Sequence, residues 1–235
     1  TMRLWFKELA ESPIDWSRVD LDHIQDLRLK PKKTVRPHQV EAIACAIEGF
    51  KTSDRGKLIK ACGTGKTFTS LRLMEAMVPK GGRVLFLAPS ISLISQTLRE
   101  WTAEALAPLH ALVVCSDTKV GKEEEDLRTH DLAYPATTDV RKLATAAGKV
   151  TPDRRLVVFS TYQSIQVVAD AQRLGLGDFD LIVCDEAHRT TGLTLRDEDP
   201  SEFVKVHHQH LIRGHKRLYM TATPRIYADA SKTKA

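Results

Sequence analysis

The chain has 235 residues, of which 42% are hydrophobic and 28% are charged, so it can bury a sizeable core. Its formal net charge of +5 is compatible with a polyanionic partner but does not require one. The sequence contains no apolar run of about 18 residues, which excludes a transmembrane helix, and its first residues do not resemble a signal peptide. The four cysteines form no CxxC pair. We therefore expect a cytoplasmic protein with no membrane segment and with buried free thiols.

The order of predicted elements along the chain indicates the fold class. Residues 1–34 are mixed in character and are predicted to be a lead-in or linker segment ahead of one domain at 35–235. Helical spacing of apolar residues predicts helices at 37–49, 66–78, 90–105, 139–147 and 162–174. Short apolar runs predict strands at 58–59, 84–87, 112–114, 156–159, 181–184 and 218–220. This alternation predicts an α/β fold with a mainly parallel sheet and helices on both faces.

The first motif follows the strand predicted at 58–59 and consists of Gly63, Thr64, Gly65, Lys66 and Thr67. Two glycines let successive backbone N–H groups point towards phosphate oxygens, and the helix that follows adds the positive end of its dipole. The lysine can reach the β- and γ-phosphates, and the threonine hydroxyl can bind Mg²⁺. The complete pattern calls for glycine at position 60, where this chain has lysine. The alternative is a simple glycine turn before a helix.

The second motif follows the strand predicted at 181–184 and begins with Asp185 and Glu186. At the carboxyl end of a buried strand, Asp185 is placed to bind Mg²⁺ and Glu186 to act as general base for an attacking water. An exposed turn at a strand end is the alternative, and the phosphate loop upstream argues against it.

Together these motifs resemble a known family. Residues 63–67, the box at 185–188 and the string at 221–224 resemble motifs I, II and III of superfamily-two helicases and translocases, over about residues 35–226. The resemblance implies a RecA-like P-loop domain that hydrolyses ATP with Mg²⁺, with catalytic roles for Lys66, Asp185, Glu186 and His188. Residues 36–39 resemble the Q motif, so that Gln39 would read the adenine edge with Arg36 nearby. Thr221 and Thr223, with His188, would couple the state of the γ-phosphate to nucleic-acid contact.

Two further loops resemble the motifs that touch the nucleic-acid backbone in this family. Residues 89–96 resemble motif Ia and residues 160–163 resemble motif Ib. The contact candidates that the resemblance implies are Ser90, Gln96, Thr161, Tyr162 and Gln163. With Arg189–Gly192 extending the box, the chain looks most like the motor of type ISP restriction–modification enzymes, which are related to type I and type III enzymes. Double-stranded DNA is then the expected partner.

The same resemblance implies a missing part. A complete motor resembles two RecA-like domains with ATP between them, and the second domain supplies arginine fingers. We expect this chain to be the first motor domain, and to hydrolyse ATP slowly without the second domain of its parent chain. The alternatives are an RNA helicase domain, a nucleotide-dependent nucleic-acid-binding module with little turnover, and a P-loop kinase of small molecules.

Overall fold

The computed structural model describes Ser12 and residues 14–19, 28–115, 135–190 and 205–223. The charged loop at 122–126, the Thr191–Gly192 extension and Pro224 lie outside the described residues. Within them, no helix combines the length and apolar character needed to cross a bilayer.

One sheet of six parallel strands forms the centre of the molecule, in the spatial order β1-β6-β5-β2-β4-β3. Its strands are β1 (Arg55–Ile59), β2 (Arg83–Ala88), β3 (Leu109–Val114), β4 (Arg155–Thr161), β5 (Phe179–Cys184) and β6 (Gly214–Thr221). Because all strands run the same way, the loops that follow them meet at one edge of the sheet, where ligand sites of such folds collect.

The described residues form five α-helices. Helix α1 (Pro37–Thr52) precedes β1, and α2 (Lys66–Met77), α3 (Ile91–Glu104), α4 (Val140–Gly148) and α5 (Ile165–Ala171) lie between successive strands. Local sequence explains where several of them begin. Pro37 occupies the first turn of α1, where its missing N–H costs no hydrogen bond. The Ser90 hydroxyl accepts a hydrogen bond from the Leu93 N–H and caps α3, and the Asp139 carboxylate accepts two backbone N–H groups and caps α4.

The core lies on both faces of the sheet, as strand β2 illustrates. Val84, Phe86 and Ala88 point to the face covered by α1, α2 and α3, whereas Leu85 and Leu87 point to the face covered by α4 and α5. All five side chains are fully buried. On the first face, the fully buried Trp101 ring packs edge-on against Phe86 and Phe159, with centroids 5.3 and 5.7 Å away. The predicted parallel sheet with helices on both faces is thus confirmed.

Several elements differ from the sequence prediction in length, burial or regularity. Helix α1 does not end at Gly49 but continues to Thr52, because the Ser53 N–H bonds back to the Gly49 carbonyl and completes another turn. Strand β1 is not fully buried: it pairs only with β6 among the described strands, and Ile59 is 53% exposed. The helix predicted at 162–174 is divided into a 3₁₀ turn, α5 and a π turn (Gln172–Leu176).

The expectation of four buried thiols needs correction. Only Cys115 and Cys184 are buried thiols; Cys45 on α1 and Cys62 in the phosphate loop are exposed, because neither side chain faces the sheet core. The division into a lead-in segment and a domain stays a prediction, although one contact joins the two ranges. The Lys33 N–H donates to a carboxylate oxygen of Glu104 at 2.7 Å, at the end of α3.

Candidate functional site

The site is built where three adjacent strands end. Strand β6 lies between β1 and β5, so the phosphate loop after β1 and the acidic pair after β5 flank the end of β6. Backbone hydrogen bonds continue past the strands: Lys60 donates to the Thr221 carbonyl at 3.1 Å, and Asp185 donates to the Leu87 carbonyl at 2.8 Å. These hydrogen bonds fix the starting points of the loops that follow β1, β5 and β6.

Glycines give the phosphate loop its shape. Gly63 and Gly65 have φ angles of +75° and +76°, in the left-handed region that side chains disfavour. The Thr64 hydroxyl closes the loop by donating to the Ala61 carbonyl at 2.7 Å. Helix α2 begins directly afterwards at Lys66, so the free N–H groups of its first turn face the loop. The Trp101 indole N–H fixes this turn from the core by donating to the Thr67 carbonyl at 3.1 Å.

The phosphate loop and the acidic pair lie close enough to interact electrostatically. Asp185 is only 7% exposed, and this burial, reinforced by the neighbouring Glu186, raises the pKa of its carboxyl group to about 6. The Glu186 N–H, which donates to Asp185 Oδ1 at 3.0 Å, and the positive charge of Lys66 act in the opposite direction on this pKa. Among the described residues, the hydrogen-bond partner of Lys66 Nζ is the Lys60 carbonyl, at a long distance of 3.4 Å. The structure therefore brings together a lysine available for an anion and a carboxylate suited to a cation.

These groups fit a nucleotide with Mg²⁺. A loop with two left-handed glycines at a helix start, followed by lysine, suits phosphate groups. The Thr67 hydroxyl and the buried Asp185 carboxylate are hard oxygen donors of the kind that Mg²⁺ prefers. Among the described residues no cluster of three or more His, Cys, Asp or Glu could hold a metal alone. Thr67 and Asp185 would thus supply part of the coordination of Mg²⁺, and phosphate oxygens of the nucleotide would complete it.

His188 connects the acidic pair to β6. Its Nδ1 atom lies 3.2 Å from Glu186 Oε2 and 3.1 Å from the Thr221 hydroxyl. Nδ1 is hydrogen-bonded with the Thr221 hydroxyl, and Glu186 lies within ion-pair distance of the same atom. The Thr221 hydroxyl donates in turn to the Thr223 carbonyl at 3.2 Å. Glu186, His188 and Thr221, three of the side chains predicted for catalysis and coupling, therefore meet in one network.

Gln39 contacts the phosphate loop itself. Its side chain is 4% exposed; its oxygen accepts from the Arg36 N–H at 3.0 Å, and its nitrogen donates to the carbonyls of Thr64 and Gly65 at 3.3 and 3.4 Å. Recognition of adenine by Gln39, with Arg36 nearby, stays a prediction.

Sequence reasoning missed two supporting side chains. One ring nitrogen of His38 lies 3.3 Å from the Thr64 carbonyl, and Lys60 Nζ donates to the His38 carbonyl at 3.2 Å. The only signal for Lys60 was its occurrence where the phosphate-loop pattern calls for glycine. Both contacts tie the first turn of α1 to this loop.

The candidates for nucleic-acid contact differ in accessibility. Gln96 is exposed on α3, whereas Ser90 and Gln163 are half-buried and Thr161 is buried. Tyr162 is 0% exposed, and its hydroxyl donates to the Asp185 carbonyl at 2.8 Å. The Tyr162 ring lies in the core and its polar atom is bonded inside the protein, so its side chain does not face solvent. The role of this loop in nucleic-acid contact and coupling stays a prediction.

Comparison with known proteins agrees with this geometry. A family model described as "Type III restriction enzyme, res subunit" matches residues 32–226. The chain belongs to this family. It is also 31% identical over 190 residues to a probable helicase of African swine fever virus, an alignment that covers 81% of this chain and 19% of the viral protein.

Solved structures extend the comparison of this res-family domain. It is similar to the ATP-dependent type ISP restriction–modification enzyme LlaBIII bound to DNA, with 40% identity, a TM-score of 0.81, and coverage of 98% of this chain and 15% of that chain. For the type ISP enzyme LlaGI in complex with a DNA substrate mimic, identity is 41%, the TM-score 0.67, and coverage 83% and 18%. The sequence prediction of a helicase-type domain like those of type ISP enzymes is thus confirmed.

More distant structures show the fold alone. The helicase domain of Pyrococcus furiosus Hef has 20% identity and a TM-score of 0.52.

The chain spans less than a fifth of the length of the viral helicase and of the two type ISP enzymes.

Proposed function

We propose that this chain, over residues 35–235, is the first motor domain of an ATP-dependent translocase acting on duplex DNA in a restriction–modification enzyme. The observation that carries the proposal is the convergence of Lys66, Asp185 and the His188 network at the ends of β1, β5 and β6. Family membership alone would not say whether the site for hydrolysis is intact in this chain.

Each side chain has a role that follows from its chemistry. The backbone N–H groups of 63–67 and the Lys66 ammonium bind the β- and γ-phosphates, with Thr64 shaping the loop. The Thr67 hydroxyl and the Asp185 carboxylate hold Mg²⁺, which when bound neutralises charge on the phosphate oxygens. The raised pKa of Asp185 agrees with this role, since a buried carboxylate is stabilised by a cation.

Hydrolysis requires a base for the attacking water. The Glu186 carboxylate accepts a proton as the water oxygen bonds to the γ-phosphorus and the bond to the β,γ-bridging oxygen breaks. The His188 ring, whose Nδ1 lies 3.2 Å from this carboxylate, orients it and links it to Thr221. We place the arginine fingers on a second RecA-like domain of a longer parent chain, so slow turnover by this chain alone is our expectation.

Duplex DNA is the proposed partner because both type ISP structures contain DNA or its mimic. The net charge of +5 favours a polyanion. Gln96 and Gln163, with Ser90, Thr161 and Thr223 shaping the loops, lie at or near the carboxyl edge of β2, β4 and β6.

Nucleotide binding by the purified chain tests the proposal. A fluorescent ATP analogue should bind in the presence of Mg²⁺, and Lys66→Ala should weaken this binding at least about tenfold, because a charge-assisted contact with phosphate is lost. Lys149→Ala, an exposed lysine at the end of α4, is the matched control and should leave the affinity unchanged. Equal affinity of wild type and the Lys66 variant would refute the proposal.

The nature of the partner needs a separate measurement. Fluorescence anisotropy with duplex DNA, single-stranded DNA and single-stranded RNA of equal length should show the tightest binding to duplex DNA at matched salt. A clear preference for RNA would instead favour an RNA helicase domain.

A further inference from the structure

Tyr162 joins two strand ends that do not pair with each other. Strand β2 lies between β4 and β5 in the sheet. Tyr162 directly follows β4, and its hydroxyl donates at 2.8 Å to the carbonyl of Asp185, directly after β5.

The peptide that receives this hydrogen bond determines how both acidic side chains point. The carbonyl of the Asp185–Glu186 peptide accepts from Tyr162, while its N–H donates to the Asp185 carboxylate at 3.0 Å. Glu186 has a φ angle of +48°, a left-handed conformation that a residue with a Cβ adopts only when its surroundings impose it. Holding this peptide plane therefore holds Asp185 and Glu186 in their present orientations.

The other end of this link is the 3₁₀ turn Tyr162–Ser164, which also contacts the loop after β2. Gln163 Nε2 donates to the Pro89 carbonyl at 3.4 Å, next to the start of α3. Gln163 Oε1 is buried and has no hydrogen-bond partner among the described residues. A buried acceptor without a donor disfavours the present arrangement, so the turn has a free-energy reason to adopt another position.

We propose that Tyr162 is a positioning residue that couples ligand contact at the turn 162–164 to the placement of Asp185 and Glu186. A shift of the turn that lengthens the hydrogen bond from Tyr162 releases the strained peptide and reorients both carboxylates. The coupling half of this inference rests on the proposed function, since it takes nucleic acid as the ligand at the turn and nucleotide as the ligand at the acids.

The positioning role can be tested without any ligand. In Tyr162→Phe only the hydroxyl is removed, and amide hydrogen exchange at residues 185–188 should become about fivefold faster, the effect of losing one net hydrogen bond. Tyr219→Phe is the matched control: Tyr219 is 8% exposed, and its hydroxyl contacts His207 Nδ1 at 3.0 Å rather than Asp185. Wild-type exchange rates in Tyr162→Phe, or equal acceleration in both variants, would overturn the positioning role.

The coupling needs both ligands. Affinity for the Mg²⁺-bound ATP analogue is measured with and without duplex DNA, and the ratio of the two affinities reports the coupling. Tyr162→Phe should lower the wild-type ratio about fivefold or bring it to one, whereas Tyr219→Phe should retain it. A merely structural effect would change the melting temperature of both variants and leave this ratio intact.

The outcomes separate the two proposals. A wild-type chain that binds nucleotide with a ratio of one overturns the coupling, as does a Tyr162→Phe variant that keeps the wild-type ratio. A wild-type chain that binds no nucleotide overturns the proposed function instead. The exchange comparison uses neither ligand and decides the positioning role in every case.

Discussion

The side-chain nitrogen of Gln39 lies against the backbone of Gly65. It donates to the Gly65 carbonyl at 3.4 Å, and a Cβ atom added to residue 65 would come within 2.5 Å of it. Helix α1 therefore touches the phosphate loop at a position where an added Cβ atom would force the Gln39 side-chain amide to move. The shape of the phosphate loop therefore depends on Gln39, in the first turn of α1.

Gly65→Ala should weaken binding of the ATP analogue by about tenfold or more, because strain from the positive φ angle adds to the collision with Gln39. Gly63→Ala is the matched control: its φ angle is also positive, but an added Cβ meets nothing within 4 Å. Its effect should be clearly smaller. In the Gln39→Ala background, the Gly65 substitution should cost less than in wild type. Equal losses at both glycines would contradict the role of Gln39.

Asp185→Asn should stabilise the fold at pH 8 by on the order of 1–3 kcal/mol, measured by urea denaturation in EDTA. The folded-state pKa of Asp185, about 6, lies above the ordinary value of 3.8. At a pH between these two values, the folded protein therefore keeps a proton on Asp185 that the unfolded chain has lost. Wild-type stability should therefore fall as the pH rises through this window, and the full cost of the buried charge is present above it. The advantage of the Asn variant should accordingly shrink towards pH 4.

The control for this measurement is Glu48→Gln, which removes an exposed carboxylate paired with Lys51 on α1. Its effect on stability should stay within about 0.5 kcal/mol. An Asn variant at 185 that is less stable than wild type at pH 8 would show that the burial of this carboxylate is already compensated within the protein.

Arg217→Leu should destabilise the protein by about 3 kcal/mol. Arg217 is 1% exposed, and its guanidinium donates to the carbonyls of Val206, Gly214 and Ile212 at 3.0, 3.2 and 2.6 Å. The substitution removes a donor from each of these carbonyls, and among the described residues only the Gly214 carbonyl keeps another side-chain donor, Gln209 Nε2 at 3.1 Å. Arg217→Lys should recover only part of the loss, since one ammonium group cannot match a planar guanidinium that reaches three carbonyls.

Arg173→Ala is the comparison for the buried arginine, because Arg173 forms an exposed ion pair with Asp170. Chemical denaturation should show a change within about 0.5 kcal/mol for this variant. A similarly small change for the Leu variant at 217 would mean that the segment 205–214 is held by other contacts.

Alkylation should divide the cysteines into two classes. Cys45 and Cys62 are exposed and should react with iodoacetamide, whereas Cys115 and Cys184 are buried and should not. Burial also raises the pKa of the Cys184 thiol to about 12, which removes the reactive thiolate at neutral pH. Peptide mass spectrometry should further show that the ATP analogue protects Cys62 in the phosphate loop but not Cys45. Protection of both, or of neither, would argue against nucleotide binding at this loop.

Much of the fold could be predicted from local sequence. The runs at 84–87 and 156–159 are continuous and apolar because their strands are covered on both faces, and Asp139 and Ser90 mark the starts of α4 and α3. The position of β1 at the edge of the described sheet could not be predicted, since strand order depends on contacts between distant segments. The contact between Lys33 and Glu104 could not be predicted for the same reason, since the two residues are distant in sequence.

The candidate site, like the fold, has features that local sequence specifies and features that depend on contacts between distant segments. The residue types at 63–67 and 185–188 by themselves determined which groups these two loops carry, and the chemistry of phosphate and Mg²⁺ makes a nucleotide site the prediction that follows from them. Only the tertiary structure decided that Gln39 lies under Gly65, that His188 joins Glu186 to Thr221, and that Tyr162 is buried beneath Asp185. The physical reason is that a local motif specifies which groups a loop carries, whereas the packing of separate strands sets which of those groups meet.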